Sequence, residues 1–148
     1  MSSGQQAGRR VLLNEQLMSA AKSLAQYLSI LLAIEYDIDA IDRIAKARRL
    51  EDFVEGIYNA LRYRENLIQK IEEKIKETKN ENIEEILSKA MQLVERFDAF
   101  EVDALINSLR QENGTLLKLV ASYIGTRALA FTETEHRIRE IFRPSQGS

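Results

Sequence analysis

The sequence predicts an all-α protein, an irregular bundle of five to six helices, and three observations favour this class. Apolar residues recur at three- and four-residue steps along almost the whole 148-residue chain. Six Gly and one Pro are few for a sheet protein with many tight turns. Hydrophobic residues make up 45% of the chain and charged residues 30%, a balance typical of a globular domain with a real core.

The predicted organisation is one domain with short polar ends. We expect a flexible N-terminal arm over residues 1–12, a single helical domain over residues 13–143 and a disordered tail over residues 144–148. The six predicted helices cover approximately residues 14–34, 39–47, 50–79, 83–97, 99–113 and 116–142. Their predicted N-caps include Asp37 or Asp39, Asn80 or Asn82, and Asp98.

Two of these helices carry a further expectation about burial. The first helix is apolar on all sides near its end, "LSILLAI", so this end should be deeply buried. The third helix ends in the highly charged stretch "KIEEKIKETKNEN", in which only a narrow seam can be buried. That part of the helix should project from the body or lie on its surface.

The composition argues against an enzyme, a metal and a cofactor. There is no Cys and one His, which excludes thiolate metal sites and sites built on several imidazoles. Glu133 and His136 have the Glu-x-x-His spacing of di-iron bundles, but those sites need a second such motif. No Gly-rich phosphate loop is present. We therefore expect a non-catalytic protein without a bound cofactor.

The chain ends and the apolar runs predict a cytoplasmic protein with no membrane partner. Arg9 and Arg10 precede a mixed stretch, unlike the apolar segment of a signal peptide. The most apolar run, Leu28–Ile34, is far shorter than the roughly 20 residues that cross a bilayer. The lack of Cys is also typical of intracellular proteins.

Two charged residues interrupt the apolar stripes of their helices. Arg64 lies between Leu61 and Ile68, and Glu135 lies at the corresponding place in the last helix. Each side chain can run along apolar surface and send its charged end to water. The alternative is that Arg64 and Glu135 form a buried ion pair, in which case removing one partner would cost roughly 3–5 kcal/mol.

The stretch "RIAKARR", residues 43–49, holds four positive side chains in a chain of net charge −2. On a helix, Arg43, Lys46 and Arg49 fall on one stripe, while Ile44 points to the core. Arg48 is expected in the turn before the third helix. We call these four side chains the basic row, and they are the predicted nucleic-acid-binding residues together with Arg62 of the next helix.

Two interpretations of the basic row stay open. Nearby carboxylates can neutralise it as an ordinary solvated face: Asp39, Asp42, Glu51 and Asp52. Alternatively, the row contacts phosphates. Residues 67–112 carry eleven acidic and seven basic side chains, which leaves room for a positive patch elsewhere. A domain with a pI of about 5.6 is not a typical stand-alone nucleic-acid binder, but it can line part of a groove in a larger assembly.

Two stretches resemble the small subunit of archaeal type I-A CRISPR interference complexes: "YDIDAIDRIAKARRLEDFVEGIYNALR" (36–62) and "LVASYIGTRALAF" (119–131). The resemblance rests on apolar spacing and an Asp-Arg-hydrophobic-Ala pattern. It implies a non-catalytic subunit of a ribonucleoprotein that self-associates along a CRISPR RNA-guided effector. Such a subunit would contact neighbouring subunits and the backbone of the crRNA or of the target nucleic acid.

Two other functions are compatible with the sequence. A helical coat or scaffold protein, for example of an archaeal filamentous virus, would suit the arm "GQQAGRR" and the long helices. A helical protein–protein adaptor would use the charged extension of the third helix. The salt dependence of binding separates these alternatives, because phosphate contacts weaken steeply as salt rises.

Overall fold

A computed structural model of the protein describes residues 3–111 and 114–143, and the side chains of residues 15–98, 100–111 and 116–143. Within this part of the chain every element is a helix, which confirms the all-α class. The helices are α1 (Ser3–Glu35), α2 (Ile38–Ala45), α3 (Leu50–Leu61), α4 (Arg64–Glu77), α5 (Glu81–Arg96), α6 (Ala99–Arg110), α7 (Gly114–Leu129) and α8 (Glu133–Phe142). The predicted number of five to six was too low.

The predicted third helix is two helices, α3 and α4, separated by residues 62–63. The hydroxyl of Tyr27 in α1 donates to the carbonyl of Ala60 at 2.6 Å. In an uninterrupted helix this carbonyl would accept from the amide of Arg64, four residues on. A side chain inserted into the helical hydrogen-bond ladder is an established cause of a helix break. The Ala60 carbonyl accepts instead from this hydroxyl and, at 3.3 Å, from the amide of Tyr63, and α4 begins at Arg64.

The predicted last helix is interrupted in the same way, between Leu129 of α7 and Glu133 of α8. Here the hydroxyl of Ser29, also in α1, lies 3.1 Å from the Ala128 carbonyl oxygen and 2.9 Å from Glu135 Oε1, so its one proton is shared between these two acceptors. Thr132 then caps the new helix by accepting from the amide of Glu135. These two breaks account for the difference between six predicted helices and eight observed ones.

Helix α1 is the centre of the bundle and packs against α5, α6, α7 and α8. Its last two turns are buried on all sides, as predicted, because Leu28, Leu31 and Ala33 have no exposed surface. The helix begins at Ser3, so the start predicted at Asn14 was wrong. The division into arm, domain and tail stays a prediction, and residues 144–148 lie outside the described part of the chain.

The charged segment after Arg64 is packed and does not project. Helix α4 packs against α5, and its Leu67 and Ile71 side chains are fully buried. Lys70 also binds the carboxylate of Glu35 at the end of α1, with 2.6 Å between Nζ and Oε1. The narrow apolar seam predicted for this segment is thus sufficient to hold it on the surface of the bundle.

Local capping follows the sequence closely. Asn80 and Asp98 each accept from two amides in the first turn of α5 and α6, respectively. Of the two candidates for α2, Asp37 is the cap and accepts from the amide of Ala40 at 3.2 Å. Helices α2 and α7 approach closely at Gly125, where an added Cβ would lie 2.5 Å from the Cβ of Ala45.

One segment of α1, Glu15–Glu35, has the length and apolar composition of a membrane-spanning helix. In the fold, 78% of its most apolar window is buried inside the protein. The core helix of a soluble protein passes the same test of length and composition, so the segment is weak evidence for a membrane. The cytoplasmic location stays a prediction.

Candidate nucleic-acid interface

The basic row is carried by α2 and the turn after it, and this support is firmly anchored. Ile41 and Ile44 of α2 are fully buried. Ile44 lies against Gly56 of α3, where an added Cβ would come within 3.0 Å of Ile44 Cγ1. Asp37, the cap of α2, also accepts from the hydroxyl of Tyr63 at 2.7 Å. That hydrogen bond, with the nearby negative charge of Asp37, raises the pKa of Tyr63.

All four side chains of the row are exposed, but they do not lie on one helical stripe. Helix α2 ends at Ala45, two residues before the predicted end. Arg43 is in its last turn, Lys46 follows as the C-cap, and Arg48 is in the turn, as expected. Arg49 has extended backbone and occupies the N-cap position of α3. The row therefore runs across a helix end and a turn.

Arg49 stands at a position that local physics disfavours. An N-cap residue with a short oxygen-bearing side chain satisfies free amides, whereas the Arg49 side chain makes no capping hydrogen bond. A positive charge also opposes the positive end of the helix dipole. Glu51 and Asp52 in the first turn of α3 compensate for part of this effect. The residue preferences of helix N-caps therefore do not explain an arginine at this position, which favours a role in binding over a role in folding.

The ion pairs of the row are long and solvated. Lys46 Nζ lies 3.6 Å from Asp42, with the lysine side chain 78% exposed. Arg49 Nε lies 4.0 Å from Asp52, and both of those side chains are more than half exposed. Pairs of this kind contribute little to stability and exchange readily with other partners. Among the described residues no ion pair involves Arg43 or Arg48.

The surface around the row is mixed in charge. Arg43, Lys46 and Arg48 line a surface depression of about 520 Å³ together with three aspartates: Asp39, Asp42 and Asp52. The arginines and lysine therefore stand beside carboxylates that keep the local net charge low. This arrangement can hold a few phosphates as part of a larger groove, but it lacks the strongly basic footprint of a stand-alone binder.

Arg62 is exposed, like the four residues of the basic row. It does not continue the row beyond Arg49. The two arginines flank the same helix, because Arg49 precedes α3 and Arg62 follows it. Thirteen residues at 1.5 Å per residue separate them by about 20 Å along the helix axis. The Arg43 backbone lies opposite the middle of α3, where it is close to Gly56.

The two charged residues in the apolar stripes have separate structural partners, so the alternative left open by the sequence, an Arg64–Glu135 ion pair, is not formed. The Arg64 guanidinium donates to three carbonyls at the end of α5, with distances of 2.8–3.3 Å. Their residues are Val94, Glu95 and Phe97. Because the last carbonyls of a helix have no partner within it, Arg64 caps α5 from outside.

Glu135 is the one buried charge among the side chains that the structure describes, with 7% of its surface exposed. Its carboxylate accepts from Arg127 Nη1 at 3.1 Å, from the Ser29 hydroxyl at 2.9 Å and from the Thr132 hydroxyl. Burial alone would raise the pKa of this carboxyl group. The three hydrogen bonds and the charge of Arg127 outweigh burial and lower the pKa below its usual value. Glu135 thus joins α1, α7 and α8.

Glu133 and His136 make separate contacts at the start of the last helix. Glu133 binds Arg137, one turn on, at 3.1 Å. The His136 ring packs edge-on against Phe131 with 5.3 Å between ring centroids. In the described ranges, no three metal-ligating side chains come together. The predictions that the protein holds no metal and is not an enzyme stay predictions.

Sequence reasoning missed an apolar cleft of about 280 Å³ at the junction of α1, α2, α7 and α8. Ile38 and Leu129 line it and are each about half exposed. Tyr36, between α1 and α2, has a φ of 63°, a conformation that residues other than Gly rarely adopt. No sequence pattern signals a left-handed Tyr, so this site could be found only in three dimensions.

Comparisons with family models, with curated proteins and with solved structures found no match to this chain. The resemblance to the small CRISPR subunit therefore stays a prediction.

Proposed function

We propose that the protein is a non-catalytic small subunit of a CRISPR RNA-guided effector complex that contacts a nucleic-acid backbone through the basic row. The observation that supports this proposal is that four cations are exposed on a helix and turn that buried side chains hold in place. Arg43, Lys46, Arg48 and Arg49 lie within seven residues, and α2 beneath them is held by buried Ile44. Rigid support matters because it presents the charges to phosphates at a low entropic cost.

The position of Arg49 supports the same proposal independently of charge. An arginine at an N-cap lowers local stability relative to Ser, Thr, Asp or Asn. Local rules are broken most often at functional sites. The aspartates beside the row limit the binding to a few phosphates, which is compatible with a subunit that completes a groove shared with other proteins.

The first experiment measures binding of labelled RNA, DNA and RNA–DNA duplexes by fluorescence anisotropy over a range of KCl concentrations. Four phosphate contacts on a duplex predict a slope of about −3.6 in a plot of log affinity against log salt. The triple variant Arg43→Glu, Lys46→Glu, Arg49→Glu should bind weakly. The magnitude of its slope should be smaller than that of wild type by about 3. Its circular dichroism should be unchanged, because the three side chains are exposed.

A matched control separates the site from the general effect of charge. Lys76→Glu, Lys79→Glu, Lys118→Glu reverses three other exposed cations and changes the net charge by the same amount. The control variant should keep the wild-type slope. An equal loss of binding in both variants, or unchanged binding in the first, would reject the basic row as the contact.

The effector assignment needs its own test. The tagged protein, recovered from its host, should co-purify with a guide RNA and several larger proteins, and nuclease treatment should release them. Recovery of the protein alone, or with partners that resist nuclease, would reject a guided effector.

One observation favours a second candidate, a helical scaffold or adaptor. Large apolar side chains are exposed away from the basic row, above all Phe100 at 80% and the cleft beside Tyr36. Contiguous exposed apolar surface is typical of protein interfaces. Assembly into filaments without nucleic acid would favour a scaffold, whereas salt-insensitive binding of another protein would favour an adaptor.

A further inference from the structure

The cleft beside Tyr36 is apolar inside and positively charged at its edge. Ile38, Leu129 and Phe131 provide apolar walls. Arg139 donates to the Tyr36 hydroxyl, and its guanidinium lies 4.6 Å from the ring centre. The Arg143 guanidinium lies 4.9 Å from the same ring. Neither arginine has a carboxylate partner among the described residues.

The backbone at Tyr36 indicates that the ring itself is needed there. Tyr36 follows α1 in the left-handed conformation, with its amide bonded to the Leu32 carbonyl at 2.9 Å. Gly is the usual residue at this position after a helix, since a side chain there is strained. Because Tyr36 is still 45% exposed, burial does not account for the ring. Strain of this kind is found at functional sites.

A complementary feature lies at the start of α6. Phe100 is 80% exposed, the highest value among the large apolar side chains that are described. Residues 95–103 around it hold four carboxylates and one arginine. Asp103 lies on the same face of α6 as Phe100, three residues on, and is exposed. Phe100 is thus an apolar knob with a negative edge.

The knob and the cleft match in size and in charge. An apolar cavity of about 150 Å³ holds benzene, so a cleft of about 280 Å³ has room for a phenyl ring and its neighbours. The two arginines at the cleft edge, which have no carboxylate partner among the described residues, would face the carboxylates around Phe100. Residues that contribute most to binding at protein interfaces are often aromatic side chains buried in a pocket of the partner.

The two features cannot meet within one chain. Tyr27 contacts Phe97, just before α6, with 5.3 Å between ring centroids. Ser29, two residues later and about 200° around α1, contacts the α7–α8 side at Ala128. Phe100 and the cleft therefore lie on opposite sides of α1.

We propose that Phe100 of one copy binds the Tyr36 cleft of a second copy, so that the protein assembles head to tail. The contact joins two different surfaces, and each copy keeps one free knob and one free cleft. Such heterologous contacts produce open rows unless the rotation between copies closes a ring. This proposal does not depend on nucleic-acid binding, because neither the knob nor the cleft includes a residue of the basic row.

Sedimentation velocity of the full chain, without nucleic acid and over a range of protein concentrations, tests the contact. Wild-type protein should form species larger than a dimer as its concentration rises, and KCl should weaken them. Phe100→Ala and, separately, Ile38→Ser should each weaken self-association by about 30-fold, the value of one buried aromatic or aliphatic anchor. Leu129→Ser is a second cleft variant, should Ile38→Ser fold poorly.

Mixing the two variants gives the decisive result. Phe100→Ala keeps an intact cleft and Ile38→Ser keeps an intact knob, so a mixture should form a dimer and stop there. Leu119→Ala, a change at a 64% exposed apolar residue of α7, should assemble like wild type. The proposal would be overturned by a monomeric wild type, by wild-type assembly that ends at a dimer, or by a mixture that stays monomeric.

Discussion

Replacement of Arg127 by Met should destabilise the protein, because it leaves Glu135 as a buried carboxylate without its cation. The side chains of the pair are 24% and 10% exposed, so solvent screens their attraction only in part. At 3.1 Å between Nη1 and Oε1, and an effective dielectric constant of about 20, the attraction is about 5 kcal/mol. Desolvation of both groups offsets part of this energy.

The expected costs follow from what each substitution leaves behind. Arg127→Met leaves the carboxylate with its hydroxyl partners, Ser29 and Thr132, and should cost about 3 kcal/mol. Glu135→Gln leaves an arginine that can still reach water and should cost about 2 kcal/mol. The double variant buries no unpaired charge and should cost about 3 kcal/mol. The coupling energy is then about 2 kcal/mol.

Wild type, the two single variants and the double variant form a double-mutant cycle. Urea denaturation, followed by circular dichroism at 222 nm and extrapolated linearly to zero urea, gives the unfolding free energy of each protein. A second cycle with Arg64→Met and Glu135→Gln is the matched control. Its two effects should add to within about 0.5 kcal/mol, because Arg64 caps α5 and does not contact Glu135. Additivity in the first cycle, or equal coupling in both, would refute the assignment of Arg127 as the partner.

Two further predictions concern the same buried polar groups. Since the folded state lowers the pKa of Glu135, this carboxylate stabilises the fold above its unfolded pKa of about 4.3 and loses that effect as the pH falls through the folded value. Wild type should therefore exceed Glu135→Gln in unfolding free energy at neutral pH, and the difference should shrink below about pH 4 in urea titrations; a constant difference would contradict the pKa shift. Tyr27→Phe removes the donor to the Ala60 carbonyl and should cost about 1–2 kcal/mol in the same assay, whereas unchanged stability would show that this hydrogen bond does not matter.

Local signals in the sequence predicted most of the fold, and long-range contacts decided the rest. The caps Asn80 and Asp98 were found because a cap and its amides are adjacent in the chain. The helix breaks were missed because the hydroxyl at each break comes from a residue 33 or 99 positions away. A periodic apolar pattern continues through both breaks and gives no sign of them.

For the candidate surfaces too, local features were predicted and features formed by distant residues were not. Exposure of the basic row was predicted from helical projection, since Ile44 on the opposite face had to be buried. The separation of Arg62 from Arg49 was not predicted: the sequence grouped Arg62 with the row, whereas helix α3 lies between the two arginines. The cleft was not predicted, because it is formed by residues from two distant segments, 32–38 and 129–139, and by a left-handed Tyr36. Phe100 did carry a signal, because it stands outside the apolar stripe of its helix.

The two charges in the apolar stripes and the two helix breaks have a common physical origin. At each break, a hydroxyl of α1 lies within hydrogen-bond distance of a helix carbonyl, and a new helix begins four or five residues later. Arg64 is the first residue of α4 and Glu135 the third of α8, so both stand in the first turn after a break. A side chain there meets unpaired groups of a neighbouring helix end or cap: carbonyls for Arg64, the Thr132 hydroxyl for Glu135. A lone charge in a long apolar stripe therefore marks, in this protein, the place where the predicted helix begins again.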